Sequence, residues 1–271
     1  MDYQTELTAA ISAAKRAGQA ILELYRDFSP IKDAPADIST EADRQSQRLI
    51  IEDLQGRFPK DRVCAEEDTG YTSPATPSAR TWVVDPIDGT RGFAKKNGEF
   101  SVMIGLLDQS QVVLGIVFEP ASRRFCYAVR GGGCWAQDGD VAEPVRCQVS
   151  CTAALSEAIL TQSHSKPSRR PAPEVQALGP RQTIETYSAG IKLAQVARGV
   201  ADVYLNTYPE FHDWDICAGH VLVLEAGGLV TGLRGEPVTY GQLGAWQRNG
   251  LLASNGALHQ RALDALARQR G

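Results

Sequence analysis

With 271 residues, 43% of them hydrophobic and 22% charged, the chain can bury one sizeable core and has ordinary globular rather than disordered composition. A net charge of -4 argues against nonspecific binding of nucleic-acid polymers, which requires a basic face. No apolar run approaches the roughly 20 residues that span a bilayer, and the amino terminus lacks the pattern of an export signal, so a cytoplasmic protein is expected.

From Leu7, apolar residues recur at Ile11, Ala14, Ile21, Tyr25 and Phe28, a stripe that predicts an amphipathic core helix. After Pro30 and Pro35, a second helix is expected through Leu49, Ile50, Leu54 and Phe58. Thr40 and Asp43 stand at its start in the Ser/Thr-x-x-acidic capping pattern. Arg80 to Val84 reads as a buried strand that Pro86 ends, preceded by a loop marked by Thr72, Ser73, Pro74, Thr76, Pro77 and Ser78. Ser101–Leu107 and Val112–Phe118, joined by Asp108-Gln109-Ser110, predict a hairpin. Phe125–Val129 and a turn at Gly131-Gly132-Gly133 follow.

Pro144 to Thr152 is the expected junction between two subdomains, 1–148 and 149–271, sharing one cleft. Beyond it, Ala158–Thr161 is strand-like and leads into Ser163-His164-Ser165. A loop rich in proline and arginine separates this from Ile184. Trp214-Asp215 opens a helical run to Leu224. The cysteines at 64, 126, 134, 147, 151 and 217 form no Cys-x-x-Cys pair and have no histidine at zinc spacing, so buried thiols are expected.

Asp85-Pro86-Ile87-Asp88-Gly89-Thr90 sets two carboxylates three residues apart at a strand's end, followed by a glycine that admits close backbone approach and a hydroxyl. Such a segment can hold a divalent cation and a phosphate; the same composition also makes an ordinary turn. Glu66-Glu67-Asp68 and Asp215 are further acidic sites that can meet it in one cleft. Read alone, they are a solvated acidic run and a helix-start carboxylate.

Glu66-Glu67, Asp85 through Thr90, and Trp214-Asp215-Ile216-Cys217-Ala218-Gly219 with Glu225-Ala226-Gly227-Gly228 occur in this order. Together they resemble the lithium-sensitive, magnesium-dependent phosphatases of the inositol monophosphatase superfamily. The run from Arg91 to Val102 is most similar to their 3'(2'),5'-bisphosphate nucleotidase, or CysQ, branch. The resemblance implies an αβαβα five-layer sandwich of the inositol monophosphatase and fructose-1,6-bisphosphatase type, and two or three Mg2+ ions. Glu66, Asp85, Asp88 and Asp215 match the metal carboxylates and Ile87 a metal-binding carbonyl; Thr90, backed by Asp43, matches the group that orients the attacking water. Gly89 and Thr90 would offer amides to the phosphate.

Ser188, Gly190 and Lys192 resemble the nucleotidase Ser-x-Gly-hydrophobic-Lys pattern, with Lys192 facing a second phosphate or, read alone, solvated on its helix. His164 resembles a residue near the nucleoside. Ala65 stands where the family usually has glycine, which raises the question of a positive φ there.

The implied activity is removal of the 3'-phosphate of adenosine 3',5'-bisphosphate, and of its sulfated relative, to give a 5'-nucleotide. The alternatives are a phosphatase of the same fold acting on inositol monophosphate or another sugar or polyol phosphate, and a noncatalytic nucleotide or metal sensor. The expected partner is a small phosphate ester, neither a nucleic-acid polymer nor a membrane.

Overall fold

The structure, a computed structural model, describes residues 3–35, 38–68, 70, 79–139, 142–164 and 171–270. It begins with α1 (Gln4–Asp27) and α2 (Glu41–Arg57). The buried face of α1 is built mainly of alanines 9, 10, 13, 14 and 17, whose small side chains let α2 and the neighbouring sheet come close.

A seven-stranded sheet follows in strict chain order. Its members are β1 (Arg62–Ala65), β2 (Arg80–Asp88), β3 (Ser101–Asp108), β4 (Gln111–Glu119), β5 (Arg124–Val129), β6 (Gly133–Asp138) and β7 (Val145–Cys147); the short α3 (Thr90–Ala94) lies between β2 and β3. Only β1 and β2 pair in parallel; the remaining neighbours are antiparallel. The expected β3–β4 hairpin turns through Gln109 and Ser110, both at positive φ, the geometry that matches strand twist. The proline does not end β2 as expected: the strand continues to Asp88, and a register shift between Asp85 and Asp88 accommodates the lost donor.

The second half contains β8 (Ile159–Gln162), α4 (Pro173–Leu178), β9 (Gln182–Glu185), α5 (Ala189–Ala197), β10 (Val203–Asn206), β11 (Phe211–His212) and α6 (Asp213–Glu225). It closes with β12 (Leu229–Thr231), β13 (Trp246–Gln247), β14 (Leu251–Ser254) and α7 (His259–Arg270). Five of its strands form a mixed sheet in the order β12-β14-β10-β8-β9. The sequence reading missed β6, the three-residue β7 inside the predicted junction, and α4 inside the predicted loop. The proline-rich loop over Thr72–Ser78 lies outside the described residues, as does 165–170.

Side-chain alternation sorts the molecule into layers. Trp82, Val84, Ile104 and Leu106 pack toward α1 and α2, whereas Val83, Met103 and Leu107 point the other way, into a core with α5 and α6. The opposite face of that helix pair meets the second sheet through Tyr204, Leu251 and Ala253. Leu160, Val203 and Leu252 on its far side pack against α4 and α7. The order is therefore αβαβα, as expected. The helix layer from the second half serves both sheets.

The approach of α6 to the first sheet is unusually close. Gly105 and Gly115 sit opposite one another in the β3–β4 ladder; a Cβ on Gly115 would lie 2.2 Å from the Ala218 carbonyl oxygen, and one on Gly105 2.6 Å from the Cys217 sulfur. Two missing side chains thus make the groove in which α6 rests. Among the described residues, no helix is long and apolar enough to cross a membrane.

Candidate active site

The register shift at Pro86 sets where β2 ends, and α6, seated in the glycine groove, brings its first turn to that point. Asp85, Asp88 and Asp215 each place a carboxylate oxygen within 4.8 Å of the others. Asp85 and Asp88 are buried, and among the described residues the Asp85 Oδ1 has no hydrogen-bond partner. Burial, and then Glu66, Asp88 and Asp215, push the Asp85 carboxyl well above the usual range.

Asp215 is the third residue of α6; it accepts from the His212 amide at 2.6 Å, completing a capping box, so helix capping and cleft placement coincide. Its carboxyl rises to about 7, chiefly through burial. Glu66 follows β1 and stands beside Asp85, outside the tight trio. It is open to solvent through the cleft yet densely surrounded; that enclosure, then Asp215, Asp43 and Glu67, raise its carboxyl to about 8. Ala65 before it has extended strand geometry, so no positive φ is needed there.

Such crowding is a strained arrangement unless a cation enters. An unpartnered buried carboxylate oxygen among hard oxygen donors fits a divalent metal ion, held by Asp85, Asp88 and Asp215 with Glu66 alongside.

Helix α2 fixes all the pieces on one side. Asp43 is buried and accepts from the Thr40 amide at 2.8 Å and the Thr40 hydroxyl at 2.6 Å, so it caps the helix; its other oxygen lies 3.0 Å from the Thr90 hydroxyl. The capping and catalytic-support readings of Asp43 are therefore compatible in one side chain. Burial raises its carboxyl to about 6 against the hydrogen bonds from Thr40 and Thr90. One turn on, Ser46 donates to the Pro86 carbonyl at 3.0 Å, and Gln47 makes paired hydrogen bonds to the Glu67 backbone. These two positioning residues were missed; the signal was polar side chains at i+3 and i+4 from Asp43, on the face that should have been apolar.

Thr90 opens α3, and its hydroxyl also lies 2.9 Å from the carbonyl of buried Ile87. Gly89 has φ +84° and touches the Glu99 carbonyl so closely that a Cβ would come within 2.6 Å, so the turn requires glycine.

Ser188, Gly190 and Lys192 stand at the start of α5, beside Asp88. Ser188 caps α5 and, with the Gly190 amide at 2.7 Å, hydrogen-bonds the Asp88 Oδ2. Lys192 is neither solvated nor free: it is 1% exposed, and its ammonium donates to Ser163 Oγ and the carbonyls of Thr186 and Tyr187 at 3.0–3.1 Å. Burial lowers it to about 8. The start of α5 packs behind Asp88, so these groups orient the site from within.

At the mouth, His164 packs against Tyr187 with centroids 4.3 Å apart and the rings tilted by 36°, and Glu99 binds both the His164 Nε2 at 2.6 Å and the Tyr187 amide at 3.1 Å. The Arg91 guanidinium and Lys95 ammonium lie 5.2 and 5.3 Å from the same tyrosine ring, and among the described residues the buried Arg91 Nε has no partner. Roles for Arg91, Lys95, Glu99 and Tyr187 were not read from the sequence. Two cations four residues apart were the available sign.

A family model described as the inositol monophosphatase family matches residues 2–270. A 3'(2'),5'-bisphosphate nucleotidase CysQ from Salmonella typhimurium is 32% identical over 233 residues, covering 84% of this chain and 90% of that protein. A histidinol-phosphatase from Mycobacterium tuberculosis is 31% identical, covering 96% and 97% of the two chains. An IMPase from Thermotoga maritima superimposes with a TM-score of 0.80 at 26% identity, covering 98% of each chain. The sequence motifs, the five layers and the full-length match lead to one statement: the chain belongs to the inositol monophosphatase family.

Proposed function

We propose that this protein is a Mg2+-dependent phosphomonoesterase that hydrolyses the 3'-phosphate of adenosine 3',5'-bisphosphate to give AMP and phosphate. The observation that carries the phosphatase reading is the convergence of Asp85, Asp88 and Asp215 around an unpartnered carboxylate oxygen, beside a threonine hydroxyl backed by a buried carboxylate. Mg2+ bound there supplies charge neutralisation for the phosphoryl group and lowers the pKa of water. Asp43 accepts the Thr90 hydroxyl proton in a hydrogen bond, leaving a Thr90 oxygen lone pair to accept a hydrogen bond from the attacking water and orient it toward phosphorus. Ser188 and Gly190 fix Asp88 in its rotamer, and His212 fixes Asp215. The Gly89 turn admits an ester close to the backbone at the start of α3.

Two features favour a nucleotide. Tyr187 and His164 offer aromatic faces for a base, and Arg91 and Lys95 supply positive charge beside them for a second phosphate. The relatives named CysQ support the same substrate. Lys192 shapes this platform by holding the Tyr187 carbonyl.

The test is phosphate release from adenosine 3',5'-bisphosphate, inositol 1-phosphate and histidinol phosphate side by side with Mg2+, with and without lithium, using Asp88→Asn as the blank. Preference for the nucleotide supports the reading. Preference for either other ester overturns the substrate and keeps the site; release from none, with Mg2+ still bound, favours a sensor.

A further inference from the structure

We infer that Cys134 and Cys147 form a redox-active cross-strand dithiol, an oxidation site closed to a disulfide by hydrogen peroxide and reopened by thiol reductants. Cys134 on β6 and Cys147 on β7 face each other directly in the antiparallel ladder. Cys126 on β5 lies on the same sheet face: its neighbour two residues on, Ala128, is the direct partner of Cys134. All three thiols are free, buried within one core, and within hydrogen-bonding reach of one another.

Sheet geometry selects the pair. Directly opposed residues have Cα atoms about 4.5–5.5 Å apart, inside the roughly 4.4–6.8 Å window of a disulfide. Cys126 and Cys134 are diagonal, at about 7–8 Å, and Cys126 and Cys147 are two strands apart, more than about 9 Å. Only Cys134–Cys147 can close without moving backbone.

The reactive member is Cys147. Hydrogen bonds from Cys126 and Cys134, and then the Arg198 guanidinium, lower its thiol below the usual range, while Cys134, in the same hydrogen bonds, is raised. Cys147 also terminates a three-residue edge strand whose other members, Val145 and Arg146, are exposed, so fraying of β7 opens the thiolate to a small oxidant. The Cys147 thiolate attacks one peroxide oxygen; an S–O bond forms, the O–O bond breaks and hydroxide leaves, to be protonated to water. Cys134 then attacks the sulfenic sulfur; the S–S bond forms as the S–OH bond breaks, and the lost hydroxide with the Cys134 proton makes the second water. Two thiols and one peroxide thus give one disulfide and two waters, and the edge strand becomes fastened to β6.

The experiment is alkylation and peptide mapping of the native, reduced full chain after graded hydrogen peroxide. The expected result is loss of two of the six alkylatable thiols, recovery of a Cys134–Cys147 linked peptide, and its disappearance with dithiothreitol. Cys147→Ser should slow oxidation of Cys134 at least tenfold and give no Cys126–Cys134 peptide. Arg198→Gln should slow the wild-type reaction several-fold with all thiols present. Circular dichroism and phosphatase turnover verify that each variant is folded. Oxidation confined to exposed Cys151, with Cys134 and Cys147 still alkylatable after denaturation, overturns the inference, as does oxidation of Cys134 at an unchanged rate in folded Cys147→Ser.

Discussion

Gly115→Ala adds one methyl group at the floor of the groove that seats α6, and the structure gives the size of the conflict. The new carbon would stand 2.2 Å from the Ala218 carbonyl oxygen, 2.6 Å from Val221 Cγ1 and 2.9 Å from the Ala218 carbonyl carbon. Two of those three atoms are helix backbone and cannot rotate away. Reaching ordinary contact requires more than an ångström of helix displacement in a close-packed core, for which overpacking costs about 1–3 kcal/mol, and a rigid backbone obstacle puts this case near the upper end. For a chain of this size, about 3 kcal/mol corresponds to a fall of roughly 5–10 °C in Tm. Because the same helix carries Asp215, cation binding should weaken in parallel. The control is Gly56→Ala in α2, where a new Cβ meets nothing within 4 Å among the described residues and the gain in helix propensity should stabilise by about 0.5 kcal/mol. Calorimetric melting of both variants, with and without Mg2+, measures the pair. A Gly115→Ala protein that melts within a degree of wild type and binds Mg2+ normally would refute the close-approach argument.

Thr90→Val keeps the shape but removes the hydroxyl between Asp43 and the cleft; kcat should fall by about 10²–10³ with little change in KM, measured by steady-state phosphate release. Lys192→Ala leaves the buried Thr186 and Tyr187 carbonyls without their donor, so denaturant titration should show a loss of about 3 kcal/mol or more, and the nucleotide kcat/KM should fall as the Tyr187 platform loosens. The metal-free protein should lose stability as pH rises. Asp215 is raised from 3.8 to about 7 on folding, so its contribution is complete below pH 3.8 and is lost through pH 7. Three units set a ceiling on the order of 4 kcal/mol, shared with its neighbours. Melting curves from pH 4 to 8 should slope downward without Mg2+, flatten with it, and slope less steeply in Asp215→Asn, where Glu66, Asp85 and Asp43 still titrate.

The parts of the fold written in local pattern were legible: the α1 stripe, the Thr40–Asp43 cap, the β3–β4 hairpin and the acidic ends of β2 and α6 all depend on residues near one another in sequence. The five-layer order came from family resemblance, because the close fit of α6 to Gly105 and Gly115 is a contact across more than a hundred residues. Strand β2 ran through Pro86 because a bulge absorbs the missing donor, which no single-residue rule anticipates. The reading of Lys192 alone as a solvated helix lysine fails for a similar reason: its three acceptors come from two other segments, and only the folded chain brings them around the ammonium. The expectation of buried cysteines held for four of the six; Cys151 is exposed and Cys64 half-buried.

The central claim is that the carboxylates of β2 and α6 hold a divalent cation that phosphate-ester hydrolysis requires. Titration of Mg2+ into the chelator-treated protein, with phosphate release from adenosine 3',5'-bisphosphate followed in the same samples for wild type and Asp88→Asn, tests it most directly. The account predicts that turnover appears with Mg2+ occupancy in the wild type and is abolished in a folded Asp88→Asn protein. Turnover that survives complete chelation, or that persists in Asp88→Asn, would contradict it.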